Sequence, residues 1–231
     1  MLIEVIVQTK EEAVEAEKLG VDRLELVSAI SEGGLTPSYG TIKQVLRSVS
    51  IPVQIMIRTH SYHFEYTKSE LETMYEDIRN VIELGGKGIV FGALHQDKSI
   101  NIEAIKHIIK IYDQIDITFH RAFDEVLSQE EAYHSLIPFK KNVRRVLTSG
   151  GKENCEEGKA NLKKLVHLSQ EYGGPSIMPG AGLSSVNLKY IHEVVGAEQY
   201  HFGKAVRRGQ SFANGFDRTV IEKIRNQLTN K

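Results

Sequence analysis

Eight short runs of β-favouring residues alternate with longer amphipathic segments along the 231-residue chain, and this alternation constrains the fold more than any single motif. The runs fall at 2–7, 23–27, 52–57, 88–91, 115–119, 143–147, 176–178 and 199–202. Several are dense in Val and Ile rather than cleanly alternating, as strands covered on both faces are. Between them, Leu71, Met74, Tyr75, Ile78, Val81 and Ile82 recur at spacings of three and four, one stripe of a helix. Val186, Leu188, Ile191, Val194 and Val195 largely repeat that stripe. Thr9 with Glu12, Thr67 with Glu70 and Ser128 with Glu131 have the capping-box form, in which a hydroxyl and a carboxylate serve free backbone amides. Gly20, Gly85, Gly173 and Gly196 stand where helices should stop.

Strict strand–helix alternation implies a parallel sheet, either closed into a barrel or open and doubly wound. The open form would carry G-x-G-x-x-G directly after the first strand; here Val7 is followed by Gln8-Thr9-Lys10. The expectation is therefore an α/β fold, a (β/α)8 TIM barrel occupying residues 1–231 as a single domain, close to the roughly 250 residues typical of that barrel.

Composition narrows the partners. The net charge of -1 and a pI near 6.8 give no electrostatic reason to expect nucleic acid or an anionic membrane. The opening MLIEVIVQTKEE has neither the basic start nor the long apolar run of a secretory signal. No apolar stretch reaches the roughly 20 residues that span a bilayer. One cysteine, Cys155, excludes an internal disulfide, so a reducing cytoplasm is expected.

A barrel builds its site at the C-terminal ends of its strands, and here those ends are polar. Glu4 and Glu25 sit within strands one and two, beside Arg58 at the end of strand three. Carboxylates inside a barrel cost several kcal/mol unless paired, so they form either a structural ion pair with Arg58 or a wet pocket. His120, next to Arg121 and near Asp124, is the first candidate for proton transfer, because imidazole titrates near neutral pH. His201, on strand eight, is the second. The candidate catalytic set is thus Glu4, Glu25, Arg58, His120, Arg121 and His201. Thr148, Ser149, Gly150 and Gly151 after strand six, and Gly180, Ala181 and Gly182 after strand seven, are candidate anion-binding positions. Glycine-rich loops there, with Gly203-Lys204-Ala205 after strand eight, match the usual phosphate place of this fold, though glycines also simply make tight turns.

No metal ligands are assigned. His60 and His63 form an H-x-x-H pair, read as solvated loop residues, and Cys155 reads as an inert exposed thiol near a helix start. Walker, H-E-x-x-H, C-x-x-C and G-x-S-x-G motifs are missing, as is a strand lysine for Schiff-base chemistry.

The same strand ends carry a family resemblance. Gly33-Gly34-Leu35-Thr36-Pro37-Ser38, Phe119-His120-Arg121-Ala122-Phe123-Asp124 and Leu147-Thr148-Ser149-Gly150-Gly151 resemble the signatures of CutC proteins, the so-called copper homeostasis proteins. Val90-Phe91-Gly92-Ala93-Leu94 with Asp97, Met178-Pro179-Gly180-Ala181-Gly182 with Asn187, and Met56-Ile57-Arg58 extend the match from Glu4 to His201. The resemblance implies a cytoplasmic (β/α)8 barrel, usually oligomeric, associated with copper. Copper(I) binding in some members is attributed to cysteines whose positions here are Ile6 and Val27, and neither can ligate a metal. At His60 and His63 the family often has arginine and aspartate.

Two functional readings follow. The first is a CutC-like protein of copper homeostasis, with copper as a partner by resemblance alone. The second is a barrel enzyme, of isomerase or lyase type, acting on a small anionic substrate at the mouth. Fold cannot separate them, because this architecture hosts many chemistries.

Overall fold

The computed structural model describes residues 1–229. Eight parallel strands, β1 Leu2–Val7, β2 Arg23–Leu26, β3 Val53–Met56, β4 Gly88–Phe91, β5 Asp116–Phe119, β6 Val143–Thr148, β7 Ser176–Pro179 and β8 Gln199–Phe202, make one sheet. Its order is β7-β6-β5-β4-β3-β2-β1-β8, and β7 lies against β8, so the sheet curls into a nearly closed barrel. Eight helices surround it: α1 Lys10–Lys18, α2 Tyr39–Leu46, α3 Lys68–Glu83, α4 Ile102–Ile111, α5 Gln129–Leu136, α6 Cys155–Tyr172, α7 Leu188–Val195 and α8 Arg218–Thr229.

The strands do alternate, but with the polar side turned inward. Leu24, Leu26, Ile55, Ile89, Ile117 and Val146 join helix residues such as Met74, Ile78 and Ile105 in the main apolar core between barrel and helices. The interleaved polar positions bond to one another between strands. Arg23 donates to Gln199 (2.7 Å) and contacts the Met178 sulfur, while Arg145 donates to Thr118 and Asp116, each at 2.8 Å. This polar lining, rather than a solvent-facing side, breaks up the apolar runs, and each arginine is tolerated because its donors are satisfied.

Helix ends follow the sequence with corrections. Of these three pairs, Thr67 with Glu70 forms the one complete capping box. Thr9 and Ser128 accept from Glu12 N and Glu131 N, but the Glu12 carboxylate turns instead to Gln8 N and Arg207. Val186 lies before α7 and is 85% exposed, so it is not part of the buried stripe formed by Leu188, Ile191 and Val195. Cys155 opens α6 but is fully buried, contrary to the exposed thiol expected. Its N–H and Sγ–H both donate to the strand-seven turn, to Ala181 O at 3.0 Å and Gly180 O at 2.9 Å. No described helix is long and apolar enough to cross a membrane.

Candidate functional site

Parallel register places the first layer of the site. Glu4 pairs with Arg23 on β2 and with His201 on β8, and Glu25 stands one step higher, opposite Ile6. Glu4 is wholly inaccessible to solvent and accepts from Arg23 Nε and, at 2.8 Å, from His201 Nδ1. Burial alone would raise its carboxyl, but Arg23 and His201 outweigh burial and hold it well below the usual range, at about 2. Glu25 has no such partner. Burial, with the nearby Glu4 charge, pushes it up to about 7 against the pull of His201 and Arg23. Its Oε2 lies 3.6 Å from His201 Nε2, and its Oε1 is buried with no hydrogen bond from the protein. Burial opposes protonation of His201, yet Glu25 and Glu4 together raise it.

A second group comes from β3 and β5. Arg58 is set by the Gly33-to-Thr36 segment: Thr36 N donates to Arg58 O (3.0 Å), and Arg58 N donates to Thr36 Oγ1 (2.8 Å). Gly33 and Gly34 have positive φ, and a Cβ on Gly33 would lie 3.2 Å from the Arg58 guanidinium. That guanidinium covers the Phe64 ring at 4.7 Å and donates to Ser61 O, while its Nε, also buried, has no protein partner. Phe64 also packs against His120, with ring centroids 4.8 Å apart. His120 Nδ1 accepts from Ala122 N–H (3.1 Å), so the ring proton is on Nε2, which is buried and unpartnered. Burial and the Arg58 charge push His120 down to about 3. It is therefore a neutral donor and not the titrating group the sequence favoured. His201, ranked second, is the histidine flanked by two carboxylates.

Glu25, Arg58, His120 and His201 line one cavity of ≈ 470 Å³, with Ile6, Met56, Phe64 and Phe212 as apolar wall and Lys204 at its exposed rim. Arg121 reaches this cavity too, but its Nε donates to Asp124 (2.8 Å). Asp124 also collects the Thr148 hydroxyl, Ser149 N (3.1 Å) and Gly151 N (3.0 Å), while Gly150 N donates to Thr148 Oγ1. An internal carboxylate thus sits where an anion was expected on Thr148, Ser149, Gly150 and Gly151. Gly180 N is likewise spent on Thr148 O, whereas Ala181 and Gly182, both with positive φ, line the cavity. Asp124 as the hub of this turn was not legible in sequence, since the turn lies 24 residues and more further along the chain.

His60 packs among Tyr62, His63 and Tyr66, 3.4 Å from Glu70. It forms no ligand cluster with them. Among the described residues, one set of His, Cys, Asp or Glu side chains converges closely enough to hold a metal ion: Glu4, Glu25 and His201, with donor atoms within 4.8 Å of one another. Copper(I) does not fit the positions the resemblance implied. Val27 is buried in an apolar cluster with Met56 and Val90, against which Ile6 packs, and burial pushes the Cys155 thiol up to about 12. A thiolate pair for a soft ion is missing from the described residues.

Comparison with known proteins agrees along the chain. The copper homeostasis protein cutC homolog of Homo sapiens is 41% identical over 215 residues, covering 92% of this chain and 77% of the human one. A family protein CutC from Enterobacter sp. is 38% identical over 200 residues, 87% of this chain and 78% of that protein. The crystal structure of CutC from Streptococcus agalactiae superposes with a TM-score of 0.80 at 31% identity, covering 88% of this chain and 98% of that one. The CutC family model matches residues 1–206, and the chain belongs to the CutC family.

Proposed function

We propose that the protein contributes to copper homeostasis, the role in the names of its human and mouse relatives, by binding and transforming a small anionic molecule at the barrel mouth rather than by carrying copper(I). One observation carries this reading. Three buried polar atoms of different character, Arg58 Nε–H, His120 Nε2–H and Glu25 Oε1, lack protein partners and belong to residues lining one cavity. Buried polar groups are nearly always satisfied, and those left open at a cavity are where a ligand supplies the bond.

The chemistry of the three groups suits an isomerase or lyase. Arg58, backed by Phe64, holds a carboxylate or phosphate. Neutral His120 donates to a carbonyl or hydroxyl oxygen, and the carboxyl of Glu25 faces the same ligand. The apolar wall accepts the carbon skeleton. A lone, buried thiol suits the reducing cytoplasm in which we place the protein.

The test has two arms. Anaerobic copper(I) competition against a chelator should show no tight site, and the Cys155→Ser protein should behave as wild type. A thermal-shift screen of phosphorylated and carboxylated sugars should give ligands that stabilise wild type and lose their effect in Arg58→Met. Tight stoichiometric copper(I) binding, or a screen in which Arg58→Met behaves as wild type, would overturn the reading.

A further inference from the structure

We propose that His201 and Glu25 hold a first-row divalent cation of the zinc or cobalt type at the cavity, with Glu4 fixing His201 from behind. The geometry begins at Glu4. Its Oε1 lies 2.8 Å from His201 Nδ1, so the ring donates its Nδ1 proton there and faces Nε2 toward Glu25, where the neutral ring offers a lone pair. This is the arrangement by which outer carboxylates set the tautomer of metal-binding histidines.

Nε2 and Glu25 Oε2 are 3.6 Å apart. That is too long for a hydrogen bond. It is the span of two donors across one tetrahedral ion, since bonds of about 2.1 Å at a tetrahedral angle separate their ends by about 3.4 Å.

Glu25 supplies the second observation. The residue is 3% exposed, and its Oε1 has no protein partner. Arg23 does not meet that need, because its hydrogen bonds go to Glu4, Gln199 and Met178. A cation between imidazole and Oε2 would offset the buried charge of the carboxylate, and bidentate binding would also take up the open Oε1. Both ligands line the cavity, so the remaining coordination positions face the space where water or a substrate oxygen can complete them. One imidazole and one carboxylate form a borderline-to-hard set, suited to zinc, cobalt or manganese and not to copper(I). The cation shares Glu25 with the substrate reading, but loss of the metal would leave the contacts of Arg58 and His120 in place, so the two can fail separately.

Chelator-treated full-length protein should be titrated with Co(II), followed by its visible absorption, and with Zn(II) by calorimetry. The expected result is one equivalent per chain. Glu25→Gln, which keeps the shape and removes a buried charge, should weaken binding about 100-fold or abolish it, and His201→Gln should do the same. Glu4→Gln, which touches no metal, should weaken binding about 10- to 100-fold, the usual effect of an outer partner. Circular dichroism of each variant separates lost ligation from lost fold. No stoichiometric binding, binding unchanged in folded Glu25→Gln, or binding lost instead in His60→Gln with His63→Gln would overturn the site.

Discussion

Two stretches of the same barrel rim carry equally polar sequences and end in opposite states. At the ends of β5 and β6, Asp124 gathers the Thr148 hydroxyl, the amides of Ser149 and Gly151 and the Arg121 guanidinium, and the turn is closed on itself. Around the neighbouring cavity, Glu25, Arg58 and His120 each keep a buried atom without a protein partner. His120 and Asp124 stand in one short motif yet fall on different sides of this division. A satisfied polar network stabilises the fold, whereas an unsatisfied buried group costs folding energy and, where it lines a cavity, offers a bond to a ligand. Polarity at a strand end therefore points to a site where several unmade hydrogen bonds belong to residues lining one cavity.

Substitutions on either side test that contrast. The largest effect belongs to the closed side. A Cβ on Gly158 would sit 1.7 Å from the Ser149 carbonyl oxygen, so Gly158→Ala must push α6 off the turn. A loss of about 3 kcal/mol or more is expected in denaturant unfolding; an unchanged midpoint would mean that the turn is not held rigidly. Asp124→Asn keeps the shape but strands several donors, and should cost about 2–4 kcal/mol. If it costs nothing, Asp124 is not the hub.

The open side should respond to pH. His120 is held neutral at about 3 in the fold, below the ordinary value of 6.5. The unfolded chain then takes up its proton first as the solution is acidified. The stabilising difference is present in full above pH 6.5 and is lost progressively on falling toward 3. Wild type should lose about 2 kcal/mol relative to His120→Asn between pH 7 and pH 5, and parallel pH curves would refute a buried neutral ring. Gly92→Ala places a Cβ 2.5 Å from His120 Nδ1, a side-chain neighbour that can move. It should cost only about 1 kcal/mol while displacing the ring enough to weaken ligands found in the thermal-shift screen. Smallest of all, Glu25→Gln should shift stability by less than about 1 kcal/mol, in the direction of gain, because it removes a buried carboxylate that lacks a full partner. Equal losses in Glu25→Gln and Asp124→Asn would erase the distinction between the two regions.

Sequence alone determined the architecture: periods of two and of three to four, helix stops at glycine and strict alternation are local signals, and each strand lies within two residues of its expected ends. It also marked Glu4, Glu25, Arg58, His120 and His201, because charge inside an apolar run is visible without a structure. Their relations were decided by tertiary structure alone. Glu4 meets a histidine 197 positions away, Asp124 reaches a turn 24 and more positions on, and Cys155 is buried by a strand-seven turn that docks on its helix start. Whether a polar group is paired, neutral or open depends on neighbours that a parallel barrel brings from strands far apart in the chain. Local pattern carries no record of those distances, and so the sequence named the residues while the closed barrel assigned which of them are spent on folding and which remain free to act.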